Sequence, residues 1–413
     1  MQLRSPRGTH DIFGDEARRH RRVVETGRRI TELYGYGEMA TPIFEFTGVF
    51  ARSLGETSDV VSKEMYTFED RGGEEVTLRP ENTASVMRAI LQHGLLQSVP
   101  LRFFYNGPMF RYERPQKGRM RQFHQIGVEL VGAPEPLADV EVMALGRHIL
   151  DGLGLGDDVT LELNSLGDPE SRAAYRDALK AYLERFQDDL SEDSCKRLER
   201  NPLRILDSKD ERDRRIVAEA PPLEAHYNDA SRAFFEEVKA GLERLGIAYR
   251  VNRNLVRGLD YYTHTAFEFT TEKLGAQSAV IAGGRYDGLM EQLGGPATPG
   301  VGWAAGVERL GLLLDDTPAA PRPVAVVPIG PAAEREAVGL ADELRRAGIA
   351  ADLAFKGKPG QRMKRADRIG AATAVVFGDD ELATGQVLLR DLATGEQTPV
   401  DRTRLAQVLG ETR

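Results

Sequence analysis

Five cations, Arg111, Arg114, Lys117, Arg119 and Arg121, fall within eleven consecutive residues that hold one acid, Glu113. They belong to the segment Phe110 to Glu129, FRYERPQKGRMRQFHQIGVE. A row of guanidinium groups is anion-binding chemistry, bidentate towards carboxylate or phosphate. Further along, Phe123, Gln125, Gly127 and Glu129 alternate with Ile126, Val128 and Leu130. An extended backbone therefore puts a ring, an amide and a carboxylate on one face and apolar side chains on the other. Next to the cations, that polar face suits a small polar ligand and a nucleotide. Charges alone would favour a solvated edge hairpin. The carboxylate and amide sharing a face with the ring argue against it.

Three further clusters carry chemistry. In Leu78 to Thr83 (LRPENT), Glu81 and Thr83 are two residues apart, and an extended segment orients both to one side. Such a pair suits an ammonium group, Glu81 supplying charge and Thr83 a hydrogen-bonding hydroxyl. The alternative is a helix N-cap, with Asn82 or Thr83 capping the run from Ala84. In Leu255 to Phe269 (LVRGLDYYTHTAFEF), Tyr261 and Tyr262 adjoin Asp260 and follow Arg257. Arg257 suits a carboxylate or phosphate, and Tyr262 a buried polar ligand; core or interface tyrosines are the commoner fate of such a pair. His264, with no partner in its neighbourhood, is a weak catalytic candidate. In Gly300 to Leu310 (GVGWAAGVERL), Gly302, Ala304 and Gly306 share a strand face with room for a flat ring or a phosphate chain, and Glu308 and Arg309 open a helix beside it. Neither this run nor SAVIAGGRYDG, Ser278 to Gly288, has dinucleotide or P-loop glycine spacing, and glycine-rich strands also serve close packing.

Positioning these groups requires a framework, and the pattern supplies one. Strand character at Leu101 to Phe110 and Gln122 to Val131, with Pro115 and Gly118 between, predicts a long hairpin with a basic loop. Helical spacing appears at Glu16 to Tyr34, Thr83 to His93 and Pro134 to Leu153. A strand interrupted by Pro42 is expected at Glu38 to Phe46, and a strand pair at Ser58 to Glu69. From about Asp168 to Leu245 the chain is helix-rich and charged, an inserted module, before β signals resume at Tyr249. Strands follow at Ala266 to Thr271, Ser278 to Ala282 and Gly300 to Ala305, then a helix from Val307 to Leu314. Asp315 to Pro323 (DDTPAAPRP) reads as a linker. Beyond it, strands at Val324 to Pro328, Ala351 to Phe355, Ala374 to Phe377 and Val387 to Leu392 alternate with helices at Glu334 to Ala347 and Gln361 to Ile369. This is a small α/β domain with a largely parallel sheet. Its basic run, Lys356, Lys358, Arg362, Lys364, Arg365 and Arg368, fits a solvated helix face and an RNA-contact surface equally.

With 413 residues, 41% of them apolar and 29% charged, the chain has the composition of a multidomain globular protein. Its lone cysteine, Cys195, excludes an internal disulfide and a multi-cysteine zinc site. No apolar run reaches the ~18 residues of a membrane span and the N-terminus lacks a signal-peptide core, which points to the cytoplasm. The formal net charge of −9 argues against non-specific nucleic-acid coating but leaves room for local basic patches.

Taken together, the motifs resemble the class II aminoacyl-tRNA synthetases and, within them, the histidyl-tRNA synthetase family. PRGTHDIF and GEMATPIFE are similar to that family's N-terminal segment and motif 1, with Pro42 at its dimer-forming position. FRYERPQKGRMRQFHQIGVE resembles motif 2 and GVGWAAGVERL motif 3, while LVRGLDYYTHTAFEF and AGGRYDGL resemble the histidine-specific signatures. The likeness covers nearly the whole chain. It departs at Asn82, where many relatives carry a smaller residue. The resemblance implies an α+β catalytic core, an antiparallel sheet flanked by helices, over residues 1–318, with a helical insertion at about 168–248. A linker ending at 319–323 and a C-terminal α/β anticodon-binding domain at 324–413 complete the expected layout.

By that resemblance, Glu81, Thr83 and Gln125 would hold the α-amino group of histidine, and Glu129 and Tyr262 the imidazole, with Tyr261 lining the pocket. Arg111 and Arg257 would be catalytic at the α-phosphate of ATP. Phe123 would stack on adenine, Glu308 and Arg309 would lie at the ATP site, and Arg119 and Arg121 would reach the outer phosphates or the acceptor end. ATP would be a substrate accompanied by Mg2+, with no zinc or organic cofactor. The partners would be histidine, tRNA(His) and a second copy in a homodimer, with no membrane involved. Two rivals share the likeness: the regulatory subunit of ATP phosphoribosyltransferase, and a synthetase-like sensor module. Such regulatory relatives generally lack the C-terminal domain and have eroded motifs, whereas this chain keeps Arg111, Arg257, Glu308 and Arg309.

Overall fold

A computed structural model describes residues 3–54, 60–116, 118–206, 208, 210–255, 261–275 and 279–411. The chain forms two compact units, Met1–Pro318 and Ala319–Arg413. An eight-stranded sheet dominates the first. From one edge its strands run Gly37–Glu38, Leu101–Phe110, Gln122–Val131, Gly300–Gly306, Ala279–Arg285, Thr263–Thr270, Thr160–Ser165 and Tyr249–Val251. All neighbours are antiparallel except the two outermost pairs. The hairpin strands have the bounds expected from sequence, and they pair from Leu101↔Val131 to Phe110↔Gln122 without a break.

Alternation along these strands decides which face is covered. Ile126, Val128 and Leu130 enter the main core together with Val23 and Ile30 of helix Gly14–Leu33 and Leu145 and Ile149 of helix Pro136–Gly152. Helix Pro136–Gly152 has apolar residues on nearly every side because it is buried between the sheet and another helix. That other helix is Asp229–Arg244, the last of the insertion; its Gly241 lies so close to Val140 that an added Cβ would come within 2.6 Å of it. The insertion is therefore continuous with the core. Its helices begin where side-chain caps occur: Asp168, Ser191, Asp210 and Asn228 each accept a backbone N–H of the first turn. Asp213 accepts hydroxyl bonds from Ser191, Ser194 and Ser208; burial would raise its pKa, but these bonds outweigh it and hold the carboxyl at about 2.

Two expectations are corrected near the N-terminus. Pro42 does not merely interrupt a strand: Gly37–Glu38 joins the large sheet, whereas Phe44–Phe46 belongs to a separate three-stranded sheet with Glu75–Leu78 and Tyr66–Glu69. No strand pair forms within 60–69, where Val60–Glu64 is a single helical turn; residues 55–59 lie outside the described residues. Strand Thr160–Ser165 was not foreseen.

The second unit has a five-stranded sheet, in the order Ala351–Leu353, Val324–Pro328, Thr373–Phe377, Gln386–Asp391, Gln397–Asp401. The first three strands are parallel and the last two antiparallel, so the sheet is mixed where a largely parallel one was expected. Arg362 is 5% exposed and binds Glu334 at 2.7 Å and the Pro328 carbonyl, and Arg365 pairs with Asp352 at 2.8 Å. The basic run thus divides: these two arginines hold the unit together, while Lys356, Lys358, Lys364 and Arg368 are exposed.

One ion pair locks helix Pro136–Gly152 to the sheet. Arg285 and Asp139 are both 0% exposed and hydrogen-bonded to each other, and the guanidinium also reaches the Ala133 and Glu135 carbonyls. Removing one partner of such a pair leaves a buried charge uncompensated. Asp139→Ala is expected to cost about 3–5 kcal/mol, seen as a marked fall in the thermal unfolding midpoint. An unchanged midpoint would contradict this role.

Candidate active site

The polar face of the hairpin lines a cleft of about 1720 Å³. Its floor is strand Gln122–Val131 beside Gly300–Gly306, paired so that Glu129 lies opposite Gly302. A Cβ at Gly302 would collide with the Glu129 carboxylate and the Val128 carbonyl. The space that the glycine leaves is filled by Glu129, not by a ligand ring. Gly127 has a similar reason: a Cβ there would enter the ring of Tyr105.

Glu129 is 0% exposed, behind residues that line the cleft. Thr83 Oγ1 donates to its Oε1 at 2.7 Å, and the Tyr286 hydroxyl donates to its Oε2. Burial pushes the Glu129 carboxyl up to about 8, and the Glu81 carboxylate adds to the rise against the opposing Tyr286 and Thr83 bonds. Burial thus favours the protonated form of this carboxyl far more than in an exposed glutamate. Glu81 is also raised by burial; its two oxygens accept the Thr83 and Ala84 N–H groups at 2.6 and 3.0 Å. Glu81 itself thus caps helix Thr83–Gln92, in place of the expected Asn82 or Thr83. Asn82 Oδ1 instead accepts from Thr41 and Arg79, and Thr83 is spent on Glu129. The choice between a cap and a polar site was false, because one carboxylate makes the cap and lines the cleft.

Gln125 lines the cleft too, with a buried Oε1 that has no partner among the described residues. Tyr261 and Tyr262 are buried with ring centroids 4.6 Å apart, and Tyr261 meets Tyr286 edge-on at 5.8 Å. The Tyr262 carbonyl accepts from Arg172 of the insertion, which ties that module to the pocket wall. Tyr286, 157 residues from Glu129 in sequence, was not singled out beforehand, although it lies in the AGGRYDGL run.

The cleft is also lined by Arg111, Arg119, Phe123, Glu308 and Arg309. Arg111 is anchored through Nε to the Pro80 carbonyl at 2.9 Å, and its guanidinium lies 5.3 Å from the Phe123 ring centroid. Arg309 bonds the Gly118 and Ala279 carbonyls; burial and then the charges of Arg119 and Arg111 press its pKa below the ordinary value. Three guanidinium groups facing one another make a site for a polyanion. Glu308 accepts the His124 backbone N–H and its Nδ1, the latter at 2.7 Å. Burial would raise Glu308, but these His124 bonds leave it lowered. Arg119 pairs with Glu113 at 2.8 Å. Arg121 does not line the cleft: its guanidinium lies 3.7 Å over the Tyr112 ring and its Nε binds the Glu113 carbonyl. Arg257 lies outside the described residues, as do Asp260, Lys117 and Ser278.

The Glu129 shift has a measurable consequence. A carboxyl whose pKa is higher in the folded than in the unfolded protein contributes stability that is full below its usual 4.5 and is lost as pH rises through about 8. Within that window the loss approaches about 1.4 kcal/mol per pH unit. Thermal melts of the ligand-free protein from mildly acidic to mildly alkaline pH should therefore show a falling midpoint, much flattened in Glu129→Gln. Parallel curves for the two proteins would refute the assignment.

Comparison with known proteins adds the family. Residues 8–310 match the family described as histidyl-tRNA synthetase, and residues 323–412 match an anticodon binding domain. The chain is 61% identical over 408 residues to the histidine–tRNA ligase of Rhodospirillum rubrum, covering 98% of each, and 59% identical to that of Gluconacetobacter diazotrophicus, covering 96% and 95%. Among solved structures, apo S. aureus histidyl-tRNA synthetase superposes with a TM-score of 0.83 at 37% identity, over 98% of this chain and 99% of that one. An ATP phosphoribosyltransferase regulatory subunit/histidyl-tRNA synthetase from Bacillus halodurans shares the fold at 23% identity and a TM-score of 0.64. This chain belongs to the histidyl-tRNA synthetase family.

Proposed function

We propose that this protein is a histidine–tRNA ligase: it joins histidine to ATP, giving histidyl-adenylate and pyrophosphate, and passes the histidyl group to the 3′ end of tRNA(His). The observation that carries the reading is the buried Glu129 carboxyl behind a cleft that is also lined by arginines. A protonated carboxyl is an unusual receptor. It suits a side chain that accepts a proton near neutrality, and imidazole, with a pKa near 6.5, is that side chain. On binding, the Glu129 proton passes to the imidazole, giving an imidazolium–carboxylate pair with no proton lost to solvent. An apolar side chain would leave Glu129, Thr83 and Tyr286 facing nothing polar, a penalty of the kind that rejects competitors by ~10⁴–10⁵.

The ammonium of histidine goes to Glu81 and the unpartnered Gln125 oxygen. The histidine carboxylate is itself the nucleophile: one oxygen forms a bond to the α-phosphorus as the bond to the pyrophosphate oxygen breaks, and no general base is needed. The work left to the protein is positioning and charge stabilisation. Arg111 and Arg257 act at the α-phosphate, Phe123 stacks on adenine, and Arg309 and Arg119 hold the outer phosphates. Mg2+ would accompany those phosphates, and the Glu268 carboxylate in the cleft is a hard oxygen donor that would suit it. The exposed Lys356, Lys358, Lys364 and Arg368 suit an RNA backbone. Phe44, Phe46 and Phe68, each about half exposed, form an apolar face on the three-stranded sheet that supports a homodimer. Among the described residues no helix is long and apolar enough to cross a membrane.

Histidine-dependent ATP–pyrophosphate exchange is the test. Wild type should exchange label only with histidine present; Glu129→Gln should raise the histidine KM strongly, and Arg257→Ala should lose ~10²–10³ in rate while still binding histidine. Absence of exchange in the wild type would sink the ligase reading in favour of a regulatory, histidine-sensing one. Phe44→Asp combined with Phe46→Asp is expected to give a monomer by light scattering, and an unchanged mass would remove that face from the interface.

A further inference from the structure

In one wall of the cleft, three side chains with metal-ligand chemistry converge. His20 comes from helix Gly14–Leu33, His124 from strand Gln122–Val131 and Glu308 from the first turn of Val307–Leu313. One ligand atom from each lies within 4.8 Å of the other two. The imidazoles of His20 and His124 stand at 88° with centroids 4.7 Å apart. Among the described residues, His20 Nε2 is buried with no hydrogen-bond partner, an unsatisfied polar atom that ordinarily requires a reason.

We propose that His20, His124 and Glu308 form a site for a single transition-metal ion of the Zn2+ class, with its fourth position open to the cleft. Two nitrogens and one carboxylate are the donor set of an open three-ligand zinc site, and imidazole selects such ions over Mg2+ or Ca2+. Two of the ligands are already nearly in place, and His20 closes the third position by a side-chain shift. His124 Nδ1 and Glu308 Oε1 are 2.7 Å apart, sharing a proton. An ion bonded to each at ~2.0–2.1 Å in tetrahedral geometry replaces that proton and opens the gap by only about half an ångström. Glu308 Oε2 retains the His124 backbone N–H, an outer contact that fixes a carboxylate ligand. Glu308 and His20 both line the cleft, so an ion has an entry path. The single cysteine made zinc unexpected from sequence, but this donor set contains no sulfur.

The test is titration of the metal-stripped full-length protein with Zn2+, followed by calorimetry, and with Co2+, followed by absorption. His20→Ala and His20→Gln remove the unpartnered ligand, the second keeping much of its size. His10→Ala and Cys195→Ser are controls, since His10 already pairs with Glu16 and Cys195 is the only thiol. One ion per chain is expected in the wild type and both controls, with the intense visible bands of four-coordinate Co2+ lacking a thiolate charge-transfer band. Affinity should fall at least ~10–100-fold in both His20 variants, since even outer-contact changes cost that much. Absence of a one-to-one site, equal affinity in the His20 variants, or the weak bands of six-coordinate Co2+ would each overturn the proposal. The Co2+ spectrum of the wild type decides even if a His20 variant does not fold.

Discussion

A carboxyl group kept out of water in the middle of a sheet is the constraint on which the rest of the active site depends. Glu129 is 0% exposed, and nothing that costly persists without a surrounding structure that compels it. The compulsion is visible in the neighbours. Gly302 cannot carry a side chain because the carboxylate occupies its place, and Thr83 and Tyr286 each commit a hydroxyl to one of its oxygens. Thr83 can do so because Glu81 has fixed the start of its helix. Three segments, around Thr83, Tyr286 and Gly302, are thereby held to one acid.

The phosphate-facing end follows a different principle. There, charge is concentrated and held in place by backbone carbonyls: Arg111 on Pro80, Arg309 on Gly118 and Ala279. Carbonyl anchors fix the direction of these guanidinium groups, and fixed direction is what stabilising a developing phosphate charge demands. Arg119, paired with Glu113, is partly neutralised by comparison. One strand of the hairpin connects the two ends, carrying Phe123, Gln125 and Glu129 in register on a single face.

Sequence reading went furthest where local pattern and tertiary demand agree. The hairpin strands, at Leu101–Phe110 and Gln122–Val131, could be bounded to the residue because alternation and turn residues mark both ends. Strand Thr160–Ser165 escaped notice: it is short, and its identity as a strand comes from Thr263–Thr270, about a hundred residues away. Gln397–Asp401 escaped for another reason, a proline in an exposed edge strand. Among site residues, those within one motif could be seen together, as Gln125 and Glu129 were. Tyr286 and His20 could not, since their significance lies in the atom they face and not in their sequence neighbours. Arg362 shows the converse, a cation counted with a basic run that proves to be buried on Glu334.

The central claim, that a protonated Glu129 receives the imidazole of histidine, is most directly tested by counting protons. Calorimetric titration of histidine into the wild-type protein at pH 7, in buffers of widely different ionisation enthalpy, reports how many protons leave on binding. With Glu129 held near a pKa of 8, its proton stays with the imidazole, so the binding enthalpy should be almost independent of buffer. Release of a full proton, or undiminished histidine affinity in Glu129→Gln, would contradict the account.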